Sequence, residues 1–80
     1  MKLIRLQYTP QGDAEGNIAV AIIALQSEAQ RPVTIAYDKA GKFQLISRPP
    51  FTSPNILAQA EAYGRRLIRT LLQSITGENL

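Results

Sequence analysis

The chain has 80 residues, a formal net charge of +3, and no cysteine, histidine or tryptophan. This length suits one small domain, so we expect residues 1–80 to fold as a single unit. The missing cysteine and histidine exclude disulfides, cysteine-ligated metals and the usual base of neutral-pH catalysis, so we expect no enzyme, no metal and no cofactor.

The first predicted element is a strand over Lys2–Thr9, where apolar and polar side chains alternate. A period of two is typical of a strand with one buried face. A cluster of Pro, Gly, Asp and Asn at residues 10–17 then predicts a reversal of the chain.

The next segment, Ile18–Leu25, fits two structures. Asn17 could cap a helix that runs to Gln30, and the four alanines within residues 17–30 favour a helix. Its four β-branched residues favour a strand, since such side chains suit a pleated sheet. We favour the strand, and we place it in the middle of a sheet because it is apolar on both faces.

Strands three and four form the clearest predicted hairpin. Val33, Ile35 and Tyr37 alternate with smaller or polar residues, and Phe43–Ser47 alternates again after Asp38–Gly41. An Asp at the start of a turn and a Gly at its end are typical of a tight hairpin loop. Two consecutive prolines then end the fourth strand.

A long helix is predicted from Asn55 to about Thr76. Ser53 supplies a capping oxygen, Pro54 suits the first turn, and Gly77 predicts the end. Apolar or small side chains recur at helical spacing along one side of this segment. They are Ile56, Leu57, Ala60, Tyr63, Gly64, Leu67, Ile68, Leu71, Leu72 and Ile75.

These elements predict an α+β fold of the order ββββα, in which a four-stranded antiparallel meander is covered on one face by the C-terminal helix. If residues 17–30 were helical, the order would be βαββα. The strand side chains expected to face the helix are Ile4, Leu6, Tyr8, Val33, Ile35, Tyr37, Phe43 and Leu45.

The other side of this sheet is predicted to carry an apolar patch centred on strand two. A contiguous apolar patch usually marks a contact surface, and two-fold pairing is the commonest way to cover one. We therefore expect a non-catalytic interaction module that binds a second copy of itself or another protein. The predicted interface residues are Leu3, Ala19, Ala21, Ile23, Leu25, Ala36 and Ile46.

The distribution of positive charge suggests an alternative function. Beyond residue 40 there are five basic and two acidic side chains, whereas the first 40 residues contain four of each. The alternative is a single-stranded nucleic-acid-binding protein whose basic side chains contact phosphates. Those side chains are Arg5, Lys42, Arg48, Arg65, Arg66 and Arg69.

The element order, with a hairpin at residues 37–43 before the helix, resembles that of whirly-type and purine-rich-element-binding repeats. The resemblance implies single-stranded nucleic-acid binding by a dimer. It rests on element order alone, and no residue motif transfers a functional position. Base stacking needs exposed aromatic rings, whereas Tyr8, Tyr37 and Phe43 are expected to face the core.

The segment Asp13–Asn17 resembles the start of a calcium loop. Its Gly comes too early, and the twelfth position is Ala24 where a calcium loop has Glu. We therefore interpret the segment as a turn.

Hydropathy predicts a cytoplasmic protein that does not contact membranes. The longest apolar run has eight residues, whereas a membrane helix needs about 20. The segment Met1–Pro10 lacks the pattern of a secretory signal.

Overall fold

The predicted ββββα order is confirmed over residues 1–25, 31–50 and 52–76, which the computed structural model describes. The strands form one antiparallel sheet in chain order, with the helix packed against it. Residues 26–30, Phe51 and the predicted cap Gly77 lie outside the described residues. The elements are β1 Lys2–Tyr8, β2 Asn17–Ala24, β3 Val33–Asp38, β4 Phe43–Ser47 and α1 Pro54–Thr76.

Two turns, Asp13–Gly16 before β2 and Asp38–Gly41 between β3 and β4, share one geometry. In each, the Asp N–H donates to the carbonyl four residues on, at 2.9 and 3.0 Å, and the Asp carbonyl accepts from the Gly N–H, at 3.0 and 3.1 Å. The Asp Oδ1 also accepts the N–H of the residue four positions on. Gly16 and Gly41 both have a φ of +82°. The Asp-x-x-Gly sequence therefore forms both turns, because Gly adopts positive φ without strain.

The helix α1 begins as the sequence predicts. The hydroxyl oxygen of Ser53 accepts a hydrogen bond from the N–H of Ile56 at 3.3 Å, and Pro54 is the first helical residue. Both features satisfy or avoid the unpaired donors of a first helical turn. Within the described part of the chain, no helix is both long and apolar enough to cross a membrane.

The helix approaches the sheet closely at Gly64. A Cβ atom at this position would lie 2.9 Å from Cγ1 of Ile35 and 3.1 Å from Cδ1 of Ile23. A larger residue could be accepted here only if these side chains moved. Gly64 therefore fixes how near α1 lies to β2 and β3.

The core lies between α1 and the two central strands. The helix contributes buried residues spaced by four or eight positions, as expected for its apolar side, whereas Ile75 in its last turn is exposed. The buried core residues are Ala19, Ala21, Ile23, Leu25, Val33, Ile35, Ala60, Ile68 and Leu72.

Two side chains predicted to face the helix do not lie against it. Ile4 is 56% exposed, because it is the extra residue of a bulge in β1. The bulge shifts the alternation of the strand, so Leu3 joins Leu6 and Tyr8 against the core. Leu45 is exposed, because the helix lies over β2 and β3 and β4 is an edge strand.

Candidate interaction surface

Five of the seven predicted interface residues lie on the helix side of the sheet, so the prediction that they face outward is wrong. Ala19, Ala21 and Ile23 have no exposed surface, and Leu25 is 8% exposed. These four belong to the core, and Leu3 packs against it. The accessible apolar surface of the sheet must therefore consist of other residues.

The composition of β2 accounts for this correction. Ile18 is an extra residue in the pairing of β2 with β3, but burial alternates without interruption from Asn17 to Ala24, so this bulge does not change the phase of the strand. A strand that is apolar at nearly every position gives no sequence signal for which phase faces the core, because either phase buries apolar side chains.

The face of the sheet opposite the helix, called the open face below, is built from rows of cross-strand neighbours. Residues directly opposite each other in register share a face, and the open-face residues of β2 alternate with its core residues. The Val20 row contains Gln7, Val20, Ala36 and Gln44, the Ile22 row contains Arg5, Ile22, Thr34 and Ser47, and beyond it Lys2 pairs with Ala24.

Two exposed isoleucines stand at the ends of the Ile22 row. Ile4 is the bulge residue of β1 opposite Ile22, and Ile46 is the bulge residue of β4 opposite Thr34. The two residues of a bulge oppose one residue of the neighbouring strand. Ile4 and Ile46 therefore lie at opposite edges of the sheet and at the same position along the strands. At 56% and 52%, they are the most exposed large hydrophobic residues of the described chain.

An apolar band thus crosses the open face from β1 to β4. Val20, Ile22 and Ala24 are partly exposed in its middle. Ala36 and Ile46, the other two predicted interface residues, belong to it, although Ala36 has no exposed surface. We define the apolar band as Ile4, Val20, Ile22, Ala24, Ala36 and Ile46.

The central strands of the open face are not equally accessible. Val20 and Ile22 project from β2 and remain partly exposed. On β3, Ala36 lies opposite Val20 and has no exposed surface. Gln44, the β4 neighbour of Ala36, extends its side chain to Asp38 and donates from Nε2 to Oδ2 at 3.0 Å. The accessible apolar surface at the centre of this face therefore belongs to β2.

The six basic side chains of the nucleic-acid alternative are all exposed, but they do not share one face. Arg5 lies on the open face at the β1 edge, whereas Lys42 and Arg48 flank β4 at the other edge. The remaining three belong to the helix, on the other side of the sheet.

Two of the helix arginines lie against aromatic rings. The guanidinium carbon of Arg69 lies 5.2 Å from the ring centroid of Phe43, and that of Arg66 lies 5.6 Å from the ring centroid of Tyr63. Both distances suit a cation–π contact. The first contact joins the helix to β4, whereas the second stays within the helix.

The strand aromatics lie on the helix side, as predicted. Tyr8, Tyr37 and Phe43 pack against the core, and the Tyr37 and Phe43 ring centroids are 4.9 Å apart. None of the open-face residues defined above is aromatic. That surface therefore has no ring on which a nucleic-acid base could stack.

The side chains of Asp13 and Asp38 accept backbone N–H groups within turns. No three of the His, Cys, Asp or Glu residues in the described ranges are grouped as metal ligands. Asp13, the first residue of the calcium-loop-like segment, accepts the N–H groups of Glu15 and Asn17 through Oδ1, each at 2.9 Å. The interpretation of this segment as a turn is confirmed.

No protein-family model, curated protein or solved structure matches this chain. The likeness to whirly-type repeats therefore remains one of element order. The functional interpretation depends on the geometry of the open face.

Proposed function

We propose that this protein is a non-catalytic interaction module that binds another polypeptide chain through the open face of its sheet. The apolar band carries this proposal, since it places the exposed Ile4 and Ile46 and the partly exposed apolar residues of β2 on the face that the helix does not cover. Such surface usually marks a site of protein contact. A cytoplasmic location fits a chain without cysteine, because structural disulfides belong to oxidising compartments.

Covering the open face would contribute energy comparable to the stability of the domain. Burial of about 200 Å² of apolar surface stabilises by about 5 kcal/mol, and a domain of this size has a total stability of about 4–12 kcal/mol. Association also costs several kcal/mol in lost rotational and translational freedom. A partner must therefore cover most of the face, because contact with one edge would not offset this cost.

Nucleic-acid binding has weaker support than protein binding. The six basic side chains are divided between two sides of the molecule, and the open face offers no aromatic ring for base stacking. Phosphate contacts alone would give binding without sequence preference and with strong salt dependence. We therefore treat nucleic acid as one outcome of the experiment below.

Site-specific photocrosslinking in the native host tests the proposal. A p-benzoylphenylalanine in place of Gln7, which is exposed on the open face, should give polypeptide adducts on irradiation. The same group in place of Ala62, which is exposed on the helix, is the matched control. The mass and composition of each adduct are read by denaturing electrophoresis and mass spectrometry.

Polypeptide adducts from position 7 that are absent from position 62 would support the proposed function. Equal polypeptide adducts at both positions, or none from position 7, would overturn it. Adducts to nucleic acid from position 7, lost in high salt, would replace it with the alternative function.

A further inference from the structure

We propose that the outer edge of β4 binds a short acidic peptide of another protein, which adds to the sheet as a fifth strand beside the helix. This surface is separate from the open face and would be used in addition to it. Three features of the edge carry the proposal: its main chain, the side chains above it and the charges around it.

The main chain of β4 directs hydrogen-bonding groups outward. The N–H of Asp38 donates to the carbonyl of Lys42 at 3.0 Å, so these residues form a hydrogen-bonded pair at the start of the β3–β4 ladder. Bonded and non-bonded pairs alternate along an antiparallel ladder. Phe43 and Leu45 therefore occupy non-bonded positions, and their N–H and C=O groups point away from β3. The bulge at Ile46 ends this regular stretch, so the edge suits a short ligand.

The helix leaves the side chains of this edge partly uncovered. Leu45 lies opposite the core residue Ile35 and so faces the helix side, but it is 38% exposed because the helix packs over β2 and β3. Arg69 reaches from the helix to the ring of Phe43. Arg65 precedes Arg69 by four residues, and residues four apart share one side of a helix. We define the β4 seam as Phe43, Leu45, Arg65 and Arg69.

A fifth strand would lie within reach of both arginines. Neighbouring strands are about 4.8 Å apart, and the guanidinium carbon of Arg69 already stands 5.2 Å from the ring centroid of Phe43 on β4. Alternate side chains of the added strand point to the helix side, where carboxylates can accept charge-assisted hydrogen bonds. In this mode of recognition the main chain gives affinity and the alternate side chains give specificity.

The charges around the β4 seam select an acidic ligand. Lys42 precedes the strand, Arg48 follows it, and Arg65 and Arg69 lie above it, all of them exposed. Within the described part of the chain, none of these four side chains pairs with an acidic one. A ligand with carboxylates would therefore meet cations that have no competing internal partner.

Two acidic side chains lie near the β4 seam, and neither neutralises it. Asp38 lies towards the open face, where it accepts the N–H of Lys42 and the side chain of Gln44. Glu61 lies one helical turn before Arg65. It therefore ends the basic stretch, and we expect the carboxylates of the ligand to lie at the Arg65 and Arg69 end of the β4 seam.

The same charges disfavour a second copy of the chain at this edge. Antiparallel pairing of two β4 strands would set Lys42 of each copy near Arg48 of the other. It would also place the two helices on one side of the joined sheet, with Arg65 and Arg69 of both copies facing the junction. Like charges brought together at an interface are unfavourable.

The other edge strand, β1, does not have this arrangement. Its helix-side residues Leu3, Leu6 and Tyr8 pack against the core, and its basic residues Lys2 and Arg5 lie towards the open face. This edge therefore has no basic pair above an exposed helix-side residue, and β1 serves as the internal comparison in the experiments below.

Selection from a random heptapeptide library displayed on phage tests the chemistry of the ligand. Enriched peptides should carry acidic residues at alternate positions, because only alternate side chains of a strand face the helix. The variant R65Q/R69Q is the matched control and should enrich no acidic peptides. Enrichment of neutral or basic peptides by the native chain, or no enrichment at all, would overturn the proposal.

The most enriched peptide, made synthetically, tests the mode of binding. N-methylation of one peptide N–H at a time should weaken binding about tenfold at every second position, since alternate N–H groups of an added strand face β4. On titration, amide NMR shifts should concentrate at Phe43 and Leu45, with little change on β1. Effects of N-methylation without this alternation, or shifts centred on β2, would count against an added strand.

Single variants test the two arginines of the β4 seam. Arg65→Gln and Arg69→Gln should each raise the peptide dissociation constant about fivefold or more. Arg66→Gln removes the same charge from a side chain that contacts Tyr63 on its own helix, so it should stay within about twofold. Isothermal calorimetry measures the constants, and circular dichroism confirms the fold.

The remaining outcomes also decide the proposal. Equal losses for all three arginine variants would show that net charge acts without the β4 seam. If a single-stranded oligothymidylate shifts Arg65 and Arg69 and the selected peptide does not, the ligand is nucleic acid and the proposal is overturned. The open face is tested separately, by crosslinking at position 7, so either proposal can fail while the other stands.

Discussion

The neighbours Ile22 and Ile23 of β2 show how differently the two faces of this sheet are used. Ile23 is fully buried beneath the helix beside Gly64, whereas Ile22 lies on the open face and remains partly exposed. Both side chains have the same chemistry. The difference between them comes from the single helix, which can cover only one face of the sheet.

The second strand, β2, has an unusual composition for a strand with one face outside the core. A strand at the surface of a small domain normally alternates apolar and polar residues, but β2 is apolar on both faces. The inward set completes the core of the single chain. The outward set contributes nothing to that core, and the proposed function gives it a role.

The largest expected effect is the difference in stability between Asp substitutions at these two isoleucines. Ile23→Asp places an unpaired charge in the core and should cost at least about 5 kcal/mol, enough to unfold much of the protein. Ile22→Asp should leave the fold intact, because its side chain reaches water. Far-UV circular dichroism and urea unfolding of both variants measure the contrast.

Ile22→Asp also tests whether the open face is the contact surface. A folded Ile22→Asp variant that no longer gives the polypeptide adducts from position 7 would agree with the open face as the contact surface. If Ile22→Asp unfolds the chain as Ile23→Asp does, the two faces do not differ in the way described above.

The next effect concerns the distance between the helix and the sheet. Gly64→Leu forces side-chain atoms into Ile35 and Ile23 and should destabilise by about 3 kcal/mol. Ala62→Leu, on the exposed side of the same helix, should change stability by less than about 0.5 kcal/mol. Thermal unfolding of both variants tests this, and equal losses would show that Gly64 does not set the approach.

Sequence reasoning predicted the order of the elements better than the faces of the strands. The turns at Asp38–Gly41 and the start at Ser53 follow from local chemistry, since each depends on residues within four positions. The phase of β2 has no local signal because the strand is apolar on both faces, and that of β1 depends on the bulge at Ile4. A bulge is decided by packing between strands, so no local pattern revealed it.

The candidate surface was missed for the same reason. Thr34 and Gln44 were recognisable as outward-facing from the alternation of the second hairpin. Their cross-strand neighbours Ile22 and Val20 could be assigned to the same face only once the register was known. A shift of one residue moves every side chain of a strand to the other face. Because β2 was assigned the wrong phase, its core residues were predicted to be interface residues.

A smaller effect is expected where the covering helix begins. Ser53→Ala removes the oxygen that accepts the N–H of Ile56 and should cost about 1 kcal/mol. For a domain of this size that corresponds to a fall in melting temperature of about 4–8 °C. Ser53→Asp keeps a capping oxygen and should stay close to the native value. If both variants lose stability equally, capping is not what Ser53 contributes.

The smallest effect distinguishes the two cation–π contacts of the helix. Arg69 reaches from α1 to Phe43 on the edge strand, whereas Arg66 contacts Tyr63 on its own helix. Arg69→Gln should therefore lower stability by about 0.5–1 kcal/mol, and Arg66→Gln by less, because only the first contact is made between elements that separate on unfolding. Chemical denaturation of the two variants under identical conditions resolves the difference. Equal small losses would mean that Arg69 adds nothing to the attachment of β4, and that aliphatic packing beneath the helix alone holds that edge.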